Sequence, residues 1–179
     1  MYTKEFISHA RINEQNMRVA ILGGLAFHDL RRELINEFAV DLKNTLEEKE
    51  WSDCEVSGWQ NVGWVKLRKD NWLPHVYVGI CPSTDFAKHE LGAIAYNKEV
   101  DNQTRINISN RLKNEIGNSP LDPYCAWRKR FGTNYENLNS EDGLMALSEY
   151  KRADTLTDLV KKIEAVGNVL DSIFPTKVQ

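Results

Sequence analysis

The chain has 179 residues, of which 41% are hydrophobic and 27% charged, and its formal net charge is −3. This is the size and balance of a single ordinary globular domain, and it excludes both the global basicity of a protein drawn to nucleic acid by charge alone and the acidity of a DNA mimic. No apolar run approaches the roughly 20 residues that span a bilayer. The opening MYTKEFISHARINEQ lacks the apolar core of a secretory signal. Three widely spaced cysteines, Cys54, Cys81 and Cys125, are expected as reduced thiols of a cytoplasmic protein.

From about Gln15 to Glu50 the pattern is helical. Phe27, Leu30, Leu34, Phe38, Leu42 and Leu46 recur at steps of three or four, with Ile35 and Ala39 widening the stripe. Asp29, Arg32, Glu33, Glu37 and Lys43 take the other face. Gly23-Gly24 interrupts the run, and each glycine costs on the order of 1 kcal/mol against alanine in a helix interior. A kink or a division into two helices is expected there, and a small pair of this kind also admits a close backbone neighbour.

Trp51 to Gln60 starts a sheet region, with a short strand ending near Gly58. The next two runs, Val62–Lys69 and Val76–Cys81, alternate in character and are rich in β-branched and aromatic residues; Asp70-Asn71-Trp72-Leu73-Pro74 between them favours turning. On the second run Val76, Val78 and Ile80 share one face, and His75, Tyr77 and Gly79 the other. Pro82-Ser83-Thr84-Asp85 is a turn or helix start. Leu91, Ala93 and Ala95 alternate across His89–Tyr96, which favours a strand. Ile106 to Ile116 reads as a short helix stopped by Gly117-Asn118-Ser119-Pro120. Ser140 is the candidate N-cap of a helix to Tyr150. Thr155 to Ile173 is a second long amphipathic helix, with Leu156, Leu159, Val160, Ile163, Val166, Leu170 and Ile173 as its buried stripe. The whole predicts one α+β domain over residues 1–179, a small antiparallel sheet packed against a long N-terminal helix and a C-terminal helix.

Motifs for chemistry are sparse. His9, His28, His75 and His89 show no CxxC, HxH or HxxxH pairing with each other or with the cysteines, and His89-Glu90 fails as a zincin start because residue 93 is alanine. There is no GxSxG elbow, no Walker lysine behind Gly23-Gly24, and no reactive cysteine context. Two-metal nucleases gather acids and a lysine beside a positioned water. Here Lys66 in Trp64-Val65-Lys66 lacks the acid two places earlier, and Glu47-Glu48-Lys49 sits at the polar end of a helix. No metal and no cofactor is expected.

The more suggestive groups are basic and aromatic. Lys66, Arg68 and Lys69 run along the hairpin near Trp64 and Trp72, and Arg128-Lys129-Arg130 lies between Trp127 and Phe131 in PYCAWRKRF. Aromatic rings with arginine have the composition of interface hot spots. The favoured reading is a non-enzymatic binding module acting through a protein partner. Its expected surface is Trp64, Lys66, Arg68, Trp72 and Tyr77 on the solvent side of the hairpin, with Trp127 and Arg128 nearby. Nucleic-acid contact through Lys66, Lys69, Arg128 and Arg130 is an alternative, since cations neutralise phosphates and exposed rings stack on bases. A divergent metal-dependent hydrolase is a third.

The layout as a whole resembles the region downstream of the catalytic core in some bacterial PD-(D/E)XK nuclease-superfamily proteins. A long helix leads into Trp-rich strands (SGWQNVGWVKLRKDNW, then HVYVGI), followed by PYCAWRKRF and a closing amphipathic helix, over roughly Glu14 to Phe174. The superfamily's catalytic acid and Glu-x-Lys have no matching positions, so no catalytic residue carries over. The resemblance implies a recognition domain of the kind attached to prokaryotic nuclease or defence machinery. A phage-encoded inhibitor of such machinery fits the same description.

Overall fold

The computed structural model describes residues 12–49, 51–61, 64–82, 86, 88–119 and 121–175. Helix α1 spans Glu14–Glu47, and Asn13 caps it by accepting from the Asn16 backbone N–H. The helix runs unbroken through Gly23-Gly24, so the division into two helices is corrected. A helical glycine weakens the helix but keeps its backbone hydrogen bonds, and a long continuous helix absorbs the loss. No described atom lies within 4 Å of where a Gly23 side chain would begin, so no close neighbour requires that glycine. The apolar stripe is buried only toward the C-terminal end, at Ile35, Phe38, Ala39, Leu42 and Leu46; Leu30 is 49% exposed.

Five strands follow: β1 (Asp53–Glu55), β2 (Val65–Arg68), β3 (Val76–Pro82), β4 (His89–Ala95) and β5 (Cys125–Arg130). They form one antiparallel sheet in the order β1-β2-β3-β4-β5, with Leu67 opposite Val78, Val65 opposite Ile80 and Val76 opposite Ala95. Helix α2 (Asn102–Glu115) lies in the connection from β4 to β5, capped by Asp101, which accepts from the Thr104 N–H. A 3-10 turn at Ser57–Asn61 follows β1 and another at Asn134–Glu136 follows β5. Helix α3 (Glu141–Leu147) has Ser140 as its N-cap, accepting from the Gly143 N–H, as its sequence predicts. Helix α4 (Arg152–Ile173) closes the described chain. The predicted α+β architecture is the one observed. The turn expected at residues 83–85 lies outside the described residues, and PYCAWRKRF supplies an unforeseen fifth strand.

The four described helices join one core on one side of the sheet. Phe38 and Leu42 of α1, Ile108 and Leu112 of α2, Leu147 of α3 and Leu159, Ile163 and Leu170 of α4 meet Val65, Leu67, Val76, Val78, Ile80, Leu91, Ala93 and Ala95. Trp51 and Trp72 pack edge to face at 5.5 Å, as do Phe38 and Trp59 at 5.7 Å. Such rings each bury a large apolar area and favour this geometry.

Polar ties hold the sheet to its cover. Asp171 of α4 accepts from Lys69 Nζ at 2.7 Å, Trp72 Nε1 at 2.8 Å and Asn71 Nδ2 at 3.4 Å, so the β2–β3 loop folds back on the helix. Burial alone raises the Asp171 pKa, but these donors outweigh it and hold the carboxyl below its usual range. Arg105 of α2 is buried and donates to the carbonyls of Ala95 at 2.6 Å, Asp122 and Cys125, which ties the paired ends of β4 and β5 to the helix.

Candidate functional site: the bare face of the sheet

The alternation of the strands leaves a second set of side chains on the face that no described helix covers. From β2 come Lys66 and Arg68, from β3 Tyr77 and Cys81, from β4 Glu90 and Ile94, and from β5 Cys125 and Arg128. Cys81, Ile94 and Cys125 form a small apolar cluster of their own, against which Trp64 and Tyr77 pack half-buried. Gly79 makes this floor possible. A Cβ there would stand 2.2 Å from Ile94 Cδ1 and 2.7 Å from the Val65 carbonyl oxygen, so only glycine lets Ile94 lie across β3. The two thiols are 3.9 Å apart, and the Cys81 pKa is pushed up by its hydrogen bond to Cys125 and by burial, so Cys81 is a packing group rather than a nucleophile. The Cys54 thiol is likewise raised by burial, to about 11.

Beside this floor lies a hollow of about 310 Å³, walled by Trp64, Tyr77, Tyr96 and Tyr124, with Lys66, His75 and Glu99 at its edge. The Ala95 N–H donates to the Tyr124 carbonyl and the Asn97 N–H to the Pro123 carbonyl. These bonds continue the β4–β5 pairing and set Tyr96 beside Tyr124. The two rings stack at 5.6 Å, and the Trp64 indole meets Tyr124 at 6.3 Å. Lys66 Nζ lies 5.8 Å from the Tyr77 centroid and Lys98 Nζ 5.9 Å from that of Tyr96. His75 Nδ1 and Glu99 face each other at 3.4 Å.

Four cations of this face, Lys66, Arg68, Arg128 and Arg130, lie beside carboxylates. Lys66 pairs with Glu55 at 3.7 Å, Arg68 with Asp53 at 3.9 Å, and Arg128 with Asp122 at 3.1 Å and Glu90 at 3.5 Å. Arg130 and Glu136 stand 4.0 Å apart.

Of the residues expected at the surface, Trp64, Lys66, Arg68, Tyr77 and Arg128 are on this face. Trp72 and Trp127 are not, and their assignment is corrected: both lie in the core at 3% and 1% exposure. Trp127 stands opposite Ala93, whose side chain faces the helices, and its Nε1 donates to the Gly117 carbonyl at 2.8 Å. Trp72 is drawn in by Asp171. Sequence reasoning missed Ile94, Tyr96, Glu99 and Tyr124. The strand reading of His89–Tyr96 holds the signal for two of them, because the even positions of β4 face away from Leu91, Ala93 and Ala95. Tyr124 had no such signal while PYCAWRKRF carried no strand assignment.

Of the other histidines, His9 lies outside the described residues, and His28 and His89 have different hydrogen-bond partners. His89 is wholly buried and bonded to Trp59 Nε1 at 3.1 Å and the Glu136 carbonyl at 3.0 Å. Indole N–H only donates, so Nε2 of His89 accepts and Nδ1 carries the proton that goes to Glu136. Desolvation by burial lowers its pKa, partly offset by that carbonyl, and keeps the ring neutral. His28 sits beside Arg31 on α1. Among the described residues no group of three or more His, Cys, Asp or Glu is placed to hold a metal ion, and no helix is long and apolar enough to cross a membrane. No protein-family model, no curated protein and no solved structure matches the chain.

Proposed function

We propose that this protein is a non-enzymatic binding module that docks a protein partner through the bare face of its sheet. The observation that carries the reading is the grouping of Trp64, Tyr77, Tyr96 and Tyr124 around one hollow, over the Cys81–Ile94–Cys125 floor. Antiparallel sheets often leave one face to solvent, and that face is then polar. Here its centre is aromatic and its rim is charged, the anatomy of a protein interface with an apolar middle and a polar edge. Pairing of Lys66, Arg68 and Arg128 with carboxylates favours a polypeptide over a phosphate backbone, since cations already neutralised release fewer counterions on binding. The resemblance to the region downstream of PD-(D/E)XK catalytic cores suggests a partner within bacterial or phage nuclease or defence machinery.

Replacement of Tyr124 by a photo-crosslinking phenylalanine analogue in the native host tests the reading. Light-dependent adducts that protease removes and nuclease leaves are expected. They should disappear when Trp64→Ala is added, and they should not form from the same probe at Asp154, on the helical side. Nuclease-sensitive adducts would move the assignment to nucleic acid.

A further inference from the structure

The helix-covered side of the sheet has its own opening, distant in character from the aromatic hollow. Between the end of β5 and α4 lies a pocket of about 200 Å³ whose walls are Leu91, Trp127, Phe131 and Val166. Lys129 and Lys162 line the same pocket from the covered side, and Arg130, whose register partner Glu90 is on the bare face, reaches its edge. Two of them have carboxylates: Lys162 Nζ donates to Asp158 at 2.8 Å, and Arg130 lies 4.0 Å from Glu136. Glu136 is itself shared, accepting the Gly132 N–H at 2.9 Å. Lys129 differs. Its ammonium donates to the Ile116 carbonyl at 3.3 Å, and among the described residues it forms no ion pair. Three cations against two carboxylates leave one positive charge unanswered at an apolar opening.

We propose that this pocket binds a small monoanionic amphiphile, a carboxylate with a short apolar tail, independently of the bare sheet face. The tail lies along Leu91, Trp127, Phe131 and Val166, and the carboxylate takes the Lys129 donors that the Ile116 carbonyl leaves free. Pockets for drug-sized ligands begin at roughly 300 Å³, so the volume restricts the tail to a short one. A charge-assisted hydrogen bond at the pocket edge selects the anion over an alcohol or amine of equal length.

Calorimetric titration of the full chain with sodium hexanoate tests this, with hexanol and hexylamine as controls. Saturable one-site binding of hexanoate is expected, with neither control reaching it. Lys129→Gln should weaken hexanoate by about tenfold, the scale of one lost charged hydrogen bond. Ala165→Phe, at an exposed position of α4 that lines the pocket, should abolish binding while the far-ultraviolet spectrum is kept. Lys161→Gln, one residue from the pocket lining, should leave binding unchanged. Absence of saturable binding overturns the proposal. So does equal binding of hexanol or hexylamine, undiminished binding by either Lys129→Gln or a folded Ala165→Phe, or a loss with Lys161→Gln as large as with Lys129→Gln.

Discussion

On the covered side of the sheet Trp51, Trp59, Trp72 and Trp127 are exposed by 3% or less, whereas on the bare side Trp64 and Tyr77 are half-buried and Tyr124 is 57% exposed. Three of the buried indoles have a fixed acceptor: His89 for Trp59, Asp171 for Trp72 and the Gly117 carbonyl for Trp127. A buried N–H without a partner loses the hydration it had in the unfolded chain, so these acceptors offset the cost of burying Trp59, Trp72 and Trp127. The bare side stacks its rings against one another instead, as Tyr96 and Tyr124 do. One side therefore carries stability, and the other is available for contact.

Substitutions should separate the sides cleanly. Trp127→Ala removes a fully buried ring and is expected to cost about 3–5 kcal/mol in urea unfolding; a loss below 1 kcal/mol would break the contrast. Arg105→Ala removes the guanidinium donor from the Ala95 and Asp122 carbonyls, while the Cys125 carbonyl keeps the Asp122 N–H, and an unsatisfied buried acceptor costs roughly 1–3 kcal/mol. Gly79→Val acts at the boundary between the sides. It forces Ile94 from its seat and should lose about 1–3 kcal/mol by overpacking, and it should also weaken partner crosslinking through the disturbed floor. Tyr124→Ala is expected to change stability by no more than about 0.5 kcal/mol, as exposed substitutions generally do, while eliminating the interaction.

A smaller effect, resolved by pH, sharpens the picture of the covered side. Folding holds the His89 pKa below the ordinary 6.5, so the unfolded chain binds the proton more readily. Stability should therefore fall as the pH drops below about 6.5 and level off beneath the folded pKa. Asp158 and Asp171 shift the other way. Burial raises each, but hydrogen bonds, from Lys162 and Tyr135 to Asp158 and from Lys69, Trp72 and Asn71 to Asp171, bring both below the ordinary 3.8. Their stabilisation is lost only in stronger acid. Urea midpoints between pH 7 and 5 report on His89, and His89→Gln, which keeps an acceptor for Trp59, should flatten that part of the profile.

The residues alone determined the helical stripes of α1 and α4, the Ser140 cap and the β2–β3 hairpin, with Val76, Val78 and Ile80 on its oily face. Each of these is a local regularity: a period near 3.6, a period of 2, or a capping side chain beside its own helix. The fate of the tryptophans is not local. Trp72 looks outward until Asp171, 99 positions along the chain, receives its N–H. PYCAWRKRF has no clean alternation because a bulge opposite Ala93/Ile94 places an extra residue in β5. Alternation states that a strand has two faces, but only packing of distant helices decides which face is covered. Tertiary structure thus took Trp72 and Trp127 into the core and brought Tyr96, Glu99 and Tyr124 to Trp64 and Tyr77, because contacts between segments far apart in sequence leave no period within either one.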